Sequence, residues 1–279
     1  MTAGPKLACV MGWPVRQSVS PVLHSHWLKE HGIKGAYIAL PIEPANFGRC
    51  VAALPLMGFA GASITVPHKE AAFALASSLD DDSRATGAVN TLVFQGDAIA
   101  GMNTDVRGFA ASLSETLGAD AARKGPAAVL GAGGAARAIV LALRRAGSPE
   151  IRVLNRTPGR SDALARSAGG SIRTVPWGDW KTALADAALL VNTTSLGMTG
   201  KPPLEIALES LPRHAAVADI VYNPLETGLL CAAKARGHQT MDGLGMLMHQ
   251  AVPAFSAWFG VTPKVTPELR AELERALGG

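Results

Sequence analysis

Cysteine is scarce in this chain: Cys9, Cys50 and Cys231 are the only three in 279 residues, odd in number and far apart in sequence. That argues against a disulfide framework or a cysteine-built metal site and suits reduced thiols in a cytoplasm, each expected as buried filler. Aromatic residues make up 5% and charged residues 17% of the chain, and the basic ones are scattered, so no nucleic-acid platform is expected. No uninterrupted apolar run approaches membrane-spanning length, and the opening MTAGPKLACVMGW lacks a charged-then-apolar signal segment. Neither a membrane nor a secreted setting is therefore expected. A net charge of +4 favours anionic ligands only weakly.

What is present is a large apolar fraction, 48%, on a chain longer than one average core needs, so two domains are expected. Short apolar runs alternate with amphipathic stretches, the pattern of βαβ units. LACVMG, AYIALPI and GASITV read as strands in the first third, followed by a hairpin, GAVNTLVFQGDAIAGMNTD, turned at Gln95-Gly96-Asp97. A second series follows Lys124-Gly125-Pro126: AAVLGAGG, IRVLNRT, SIRTVP, ALLVNTT and AVADIVY. The helical stretch VRGFAASLSETLGADAARKG joins the two, and the tail from Gly243 is helical.

In AAVLGAGGAARAIVLAL, strand, tight turn and helix come in the order a dinucleotide needs. Gly131 permits the turn, Gly133 and Gly134 admit a pyrophosphate, and Ala136 keeps helix and strand close. An ordinary tight βα turn is the plainer reading. At the end of the next strand, where an acidic residue would hold the 2′-hydroxyl of NAD, stand Asn155 and Arg156, with Thr157 and Arg160 beyond. Guanidinium pairs with phosphate oxygens in two parallel charge-assisted bonds, which points to NADP; a solvated arginine beside a helix start is the alternative.

In GWPVRQSVSPVLHSHWLKEHG, Ser20-Pro21 has the form of an N-cap followed by proline at the first helical position, with Gly32 closing the helix about three turns later. If Ser18 to Ser20 is extended, both hydroxyls point the same way and form a small anion site; simple capping is the alternative. His24 and His26 lie two apart on this helix, on different faces, and read as packing or surface residues rather than metal ligands.

Lys69 in GASITVPHKEAA opens a helix, where a cation is slightly unfavourable. An anion opposite would relieve it, and Asp105 in GMNTDVRG sits just past a strand end, where chemistry in an open α/β sheet collects. An amine and a carboxylate there can share a proton with a substrate hydroxyl or carbonyl, as dehydrogenation of an alcohol requires. The plainer reading pairs Lys69 with Glu70 and lets Asp105 cap its helix.

Taken together, SVSPVLHS, TVPHK, GAVNT, GMNTDVRG, GAGGAARA, NRT, NTTSLGM, DIVYNPLETGLL and DGLGMLMHQAVPAFSAWFG resemble the shikimate dehydrogenase family from Cys9 to the C-terminal helix. The resemblance implies two α/β domains with the catalytic cleft between them: a substrate-binding domain of residues 1–106 and 244–279, and a Rossmann-type NADP-binding domain of residues 107–243. It implies reversible NADPH-dependent reduction of 3-dehydroshikimate to shikimate in chorismate and aromatic amino acid biosynthesis, by a cytoplasmic monomer or homodimer whose partner is its small-molecule substrate. Carried over by motif, Lys69 and Asp105 are the acid/base pair, and Ser18, Ser20, Thr65, Asn90, Asp105, Tyr222 and Gln250 hold the substrate. Gly131, Ala132, Gly133, Gly134 and Ala135 cradle the pyrophosphate, Asn155, Arg156, Thr157 and Arg160 take the adenosine end, Ile220 and Gly243 line the nicotinamide, and Asp81 is a further cofactor contact. Ser63 departs from the family's usual asparagine, which implies looser substrate affinity. Rival readings are a quinate/shikimate dehydrogenase, a methylenetetrahydrofolate dehydrogenase, against which the paired serines speak, and a non-catalytic NADP or metabolite sensor.

Overall fold

In a computed structural model that describes residues 4–278, the chain forms two compact units, one built from the chain up to Thr104 and from Gln250 onward, the other from Asp105–His249. The first unit holds β1 (Lys6–Gly12), α1 (Ser20–Glu30), β2 (Gly35–Pro41), α2 (Phe47–Ala53), β3 (Phe59–Ile64), α3 (Lys69–Leu75), β4 (Ser78–Leu79), α4 (Asp81–Thr86), β5 (Thr91–Gln95) and β6 (Ala98–Met102). Its sheet runs β2-β1-β3-β5-β6-β4, parallel across β2, β1 and β3, with β5 antiparallel to β3 and β6. The expected hairpin is β5–β6: Gln95 pairs with Ala98, and Gly96 takes the positive φ of +61° that the two-residue turn requires.

The second unit holds α5 (Asp105–Leu117), β7 (Ala127–Leu130), α6 (Gly134–Arg145), β8 (Ile151–Asn155), α7 (Pro158–Ala168), β9 (Ile172–Pro176), α8 (Trp180–Leu184), β10 (Leu189–Asn192), β11 (Ala216–Asp219), α9 (Gly228–Ala235) and β12 (Gln239–Met241). Its order is β12-β11-β10-β7-β8-β9, parallel throughout. The central strands AAVL, LLVN and AVAD are buried along their whole length, as a sheet covered on both faces demands. One face packs on Phe109, Leu113, Ile139 and Leu143 of α5 and α6, the other on Leu184, Leu229 and Leu230 of α8 and α9. The doubly wound α/β class expected for this half is thus present. β4 and β12, two and three residues long, carry too little pattern to be foreseen.

α10 (Gly243–Phe259) starts in the second unit and ends in the first, and α11 (Pro267–Gly278) follows. Among the described residues no helix is long and apolar enough to cross a membrane.

Two expectations need correction. Val19, not Ser20, takes the cap position of α1, with φ −87° and ψ 4°, and no side chain caps it. The Ser18 N–H donates to Val15 O at 3.1 Å, a turn that lets Val19 O accept the first helical bond from Leu23 N at 3.1 Å. Ser20 is therefore inside the helix, and Gly32 closes it with φ +60° as expected. The cysteines are also not all buried: Cys9 is, Cys50 is half-buried, and Cys231 is exposed on α9, whose inward face is made by Leu229, Leu230 and Ala233.

Candidate functional site

β1 and β3 are adjacent and parallel, so the segments leaving their C-terminal ends emerge side by side. After β1 come Ser18 and Ser20. The Val19 backbone is not extended, contrary to the expectation, yet the hydroxyls still converge: Ser18 Oγ donates to Ser20 Oγ at 3.1 Å and accepts from Ser20 N at 3.3 Å. After β3, Thr65 N donates to Met11 O at 2.9 Å and Thr65 O accepts from His68 N at 2.9 Å, closing the turn into α3. His68 is buried, stacked on Phe47 with centroids 4.4 Å apart, and one ring nitrogen lies 2.8 Å from Ile42 O. That clamp fixes the residue before Lys69, which opens α3 half-buried, as expected. Ser63 is nearly buried in β3, between Val10 and Thr91.

Lys69 O accepts from Val89 N at 3.0 Å, and the next residue, Asn90, is the centre of a buried polar set. Asn90 Oδ1 accepts from Thr104 N at 2.8 Å, and Asn90 Nδ2 donates to Thr104 Oγ1 at 2.9 Å and to Gln250 Oε1 at 3.2 Å. Thr104 Oγ1 lies 3.3 Å from Gln250 Oε1 and 3.4 Å from Thr91 Oγ1. The next residue is Asp105, buried at the start of α5. The structure thus brings Asn90 and Gln250 together through Thr104, which belongs to the GMNTDVRG motif but had no expected role. No local signal marks it, since its partners lie far away in sequence.

The three aspartates at the start of α4 separate cleanly. Asp80 caps the helix through Ser83 N at 2.7 Å and also receives Asn103 N at 3.2 Å; Asp82 is buried. Asp81 is nearer the surface, paired with Arg84 at 3.2 Å. His24 is buried, stacked on Tyr37 with centroids 4.0 Å apart, and desolvation drives its pKa down to about 3. His26 instead meets Glu272 at 2.6 Å.

The second unit offers a dinucleotide cradle on its own terms. Gly131 has φ +109°, and a Cβ there would sit 2.6 Å from Thr193 Oγ1. At Gly133 a Cβ would meet nothing within 4 Å, so the backbone faces open space. No side chain caps α6, which begins at Gly134 and Ala135, leaving its first N–H groups to an anion. Ala132 and Ala136 are buried, and Ala136 keeps the helix against the sheet. At the end of β8, Asn155 Nδ2 donates to Thr157 O at 2.8 Å, while Arg156, Thr157 and Arg160 are exposed beside the start of α7. The residues present fit a pyrophosphate and a further phosphate.

Beyond β11, Ile220 and Tyr222 are half-buried. Gly243 lies so close to the Ile220 carbonyl that a Cβ would overlap it, and would stand 2.8 Å from Val221 O. Asp219, just before them, is fully buried; desolvation pushes its carboxyl up to about 6 although three hydrogen bonds oppose the shift.

Comparison with known proteins gives consistent matches. A family profile described as shikimate dehydrogenase substrate binding domain matches residues 10–92, and one described as shikimate / quinate 5-dehydrogenase matches residues 118–199. A curated relative from Methylobacterium radiotolerans, shikimate dehydrogenase (NADP(+)), is 53% identical with 100% of each chain covered. Among solved structures, shikimate 5-dehydrogenase from Thermus thermophilus in complex with NADP(H) and shikimate is 37% identical, covers 98% of each chain and has a TM-score of 0.85. Quinate dehydrogenase from Corynebacterium glutamicum in complex with NAD is 29% identical, covers 97% of this chain and 99% of its own, and has a TM-score of 0.87.

Proposed function

Since the chain belongs to the shikimate dehydrogenase family, we propose that it catalyses the reversible NADPH-dependent reduction of 3-dehydroshikimate to shikimate. It is an oxidoreductase that uses NADP. The observation that carries the substrate assignment is the hydrogen-bond set of buried Asn90 and Thr104 with half-buried Gln250, directly before Asp105 and tied through Val89 to Lys69. Such a set presents fixed donors and acceptors to a small polyhydroxylated ring.

In the reducing direction Lys69 Nζ gives a proton to the substrate carbonyl oxygen, and the Asp105 carboxylate accepts from the hydroxyl that results. NADPH, when bound, supplies the hydride. Ser18 and Ser20 take the substrate carboxylate through their paired hydroxyls and the adjoining helix start. Thr65, Asn90, Tyr222 and Gln250 bind the ring hydroxyls or carboxylate. Gly131 to Ala135 hold the pyrophosphate, Asn155 to Arg160 the adenosine end with its 2′-phosphate, and Ile220 and Gly243 the nicotinamide. Asp81 supplies a cofactor contact, a role favoured by its place nearer the surface where Asp80 and Asp82 are structural.

We assign substrate binding to residues 1–106 and 244–279 and cofactor binding to 107–243; the compact units divide instead at Thr104/Asp105 and His249/Gln250, close to those limits. The pathway is aromatic amino acid biosynthesis, and the free cysteines support a cytoplasmic setting. The test is direct: kcat/KM for shikimate and for quinate, each with NADP and with NAD. Turnover of shikimate with NADP well above the other three combinations is expected; strong turnover only with quinate and NAD would overturn the reading.

A further inference from the structure

β7, β10 and β11 end side by side, with Leu130 paired to Asn192 and Asn192 to Asp219. Asp219 is completely buried, and its carboxylate is held by three neutral donors. Burying a carboxylate without a cation is costly, so a carboxylate retained there points to what it holds. Oδ1 accepts from Val221 N at 3.0 Å and from Asn192 Nδ2 at 2.9 Å, and Oδ2 accepts from Thr227 Oγ1 at 2.8 Å.

Each of these bonds leads somewhere relevant. Val221 lies between Ile220 and Tyr222, so the bond to its N–H bends the chain at the segment placed against the nicotinamide and the substrate. Val221 O in turn accepts from Gly243 N at 3.3 Å, where α10 begins. Asn192, held by the carboxylate, accepts from Thr194 N at 3.0 Å and Thr194 Oγ1 at 2.8 Å. Thr193 Oγ1 donates to Leu130 O at 2.6 Å, and Thr193 and Thr194 wall the space beside Gly131 that a Cβ would need. Thr227 caps α9 through Leu230 N at 3.3 Å. One buried carboxylate therefore joins the glycine loop's neighbours to the Ile220–Tyr222 segment.

We propose that Asp219 is a positioning residue for this reaction: it sets the Ile220–Tyr222 segment against the β10 end, and so the places that Ile220 offers the cofactor's ring and Tyr222 the substrate. The proposal rests on the functional reading above. A purely structural Asp219 would change the amount of folded enzyme and its melting temperature, but not the kinetic constants of the folded fraction.

The test uses the full chain with Asp219→Ala, Asp219→Asn and Thr227→Val, with active-site concentration corrected for folded protein by circular dichroism. Asp219→Ala is expected to lower kcat at least tenfold and to raise KM for shikimate severalfold. Asp219→Asn is expected to restore both to within about threefold, because its Oδ1 still accepts from Val221 N and the Thr227 hydroxyl can turn to accept from Nδ2. If Asp219→Ala does not fold, Thr227→Val takes its place, with at least a threefold change in kcat or KM expected. Wild-type kinetic constants in folded Asp219→Ala, or in folded Thr227→Val where the alanine variant fails, overturn the positioning role. So does an Asp219→Asn variant as impaired as the alanine one. Wild-type protein without shikimate turnover overturns the functional reading instead, and this inference with it.

Discussion

Asn90 Nδ2 and Gln250 Oε1, 160 residues apart in the chain, are joined by a hydrogen bond of 3.2 Å. The bond decides which way the Gln250 amide faces: its oxygen is turned to Asn90 and Thr104, and its NH2 to the opposite side. Gln250→Glu keeps the acceptor and removes the donor. KM for shikimate is expected to rise roughly tenfold, the scale of one lost hydrogen bond, with kcat changed less. Steady-state kinetics over a range of shikimate concentrations checks it, and an unchanged KM would remove Gln250 from substrate binding.

Lys69→Ala should lower kcat by about two to four orders of magnitude, the usual contribution of a general acid, while KM for shikimate stays near wild type. Lys69→Arg should not rescue it, because guanidinium does not give up its proton and cannot follow the oxygen as a flexible ammonium does. Near-normal turnover in the alanine variant would take Lys69 out of the chemistry.

Gly243→Ala forces a methyl group into the Ile220 and Val221 carbonyls. Overpacking of this kind costs about 1–3 kcal/mol, and here it also displaces the Ile220–Tyr222 segment that we assign to the nicotinamide. We expect a lower melting temperature together with weaker NADP binding by calorimetry. A variant as stable as wild type would mean that the α10 start yields more easily than its packing implies.

Arg156 and Arg160 stand exposed beside the start of α7, and we assign both to the 2′-phosphate. Replacing both with alanine should raise KM for NADP by roughly ten- to a hundredfold, as expected for lost charge-assisted bonds, and leave KM for NAD little changed. Equal effects on both cofactors would argue that the 2′-phosphate is held elsewhere.

His24 supplies a pH prediction. Its folded pKa, about 3, lies below the ordinary histidine value of 6.5, so the unfolded chain binds a proton that the folded one refuses. Stability from this group is therefore complete above about pH 6.5 and falls as pH drops toward 3, by an amount on the order of a few kcal/mol. Asp219 acts oppositely, since its folded pKa of about 6 exceeds the usual 3.8 and favours the fold as pH falls through that window. Urea unfolding between pH 4 and 7 on His24→Phe, which keeps an apolar ring against Tyr37, should show a shallower acid loss than wild type.

Local patterns carried a good deal of this. The β5–β6 turn was readable because Gly-Asp between alternating strands admits few conformations, and Gly32 because a positive φ after a helix favours glycine. The α3 opening at Lys69 and the GAGG turn were readable for similar reasons. What stayed hidden depends on partners distant in sequence. Thr104 and Asp219 look ordinary in their motifs, and only the register of neighbouring strands gives them their bonds. Ser20 misled because the Val15–Ser18 turn, invisible to a capping rule, started the helix one residue early.

At the far end of α10, Trp258 Nε1 donates to Leu92 O at 2.9 Å, passing over Gly61, where any side chain would strike the indole. Gln250 and Trp258 are thus both docked on partners in or beside β5 from one helix, so the stretch between them works as a gauge of fixed length. Adding or removing a single residue there would swing one of the two by about 100° around the axis. Evolution of this enzyme can exchange side chains along that stretch, but it has almost no freedom to change their number.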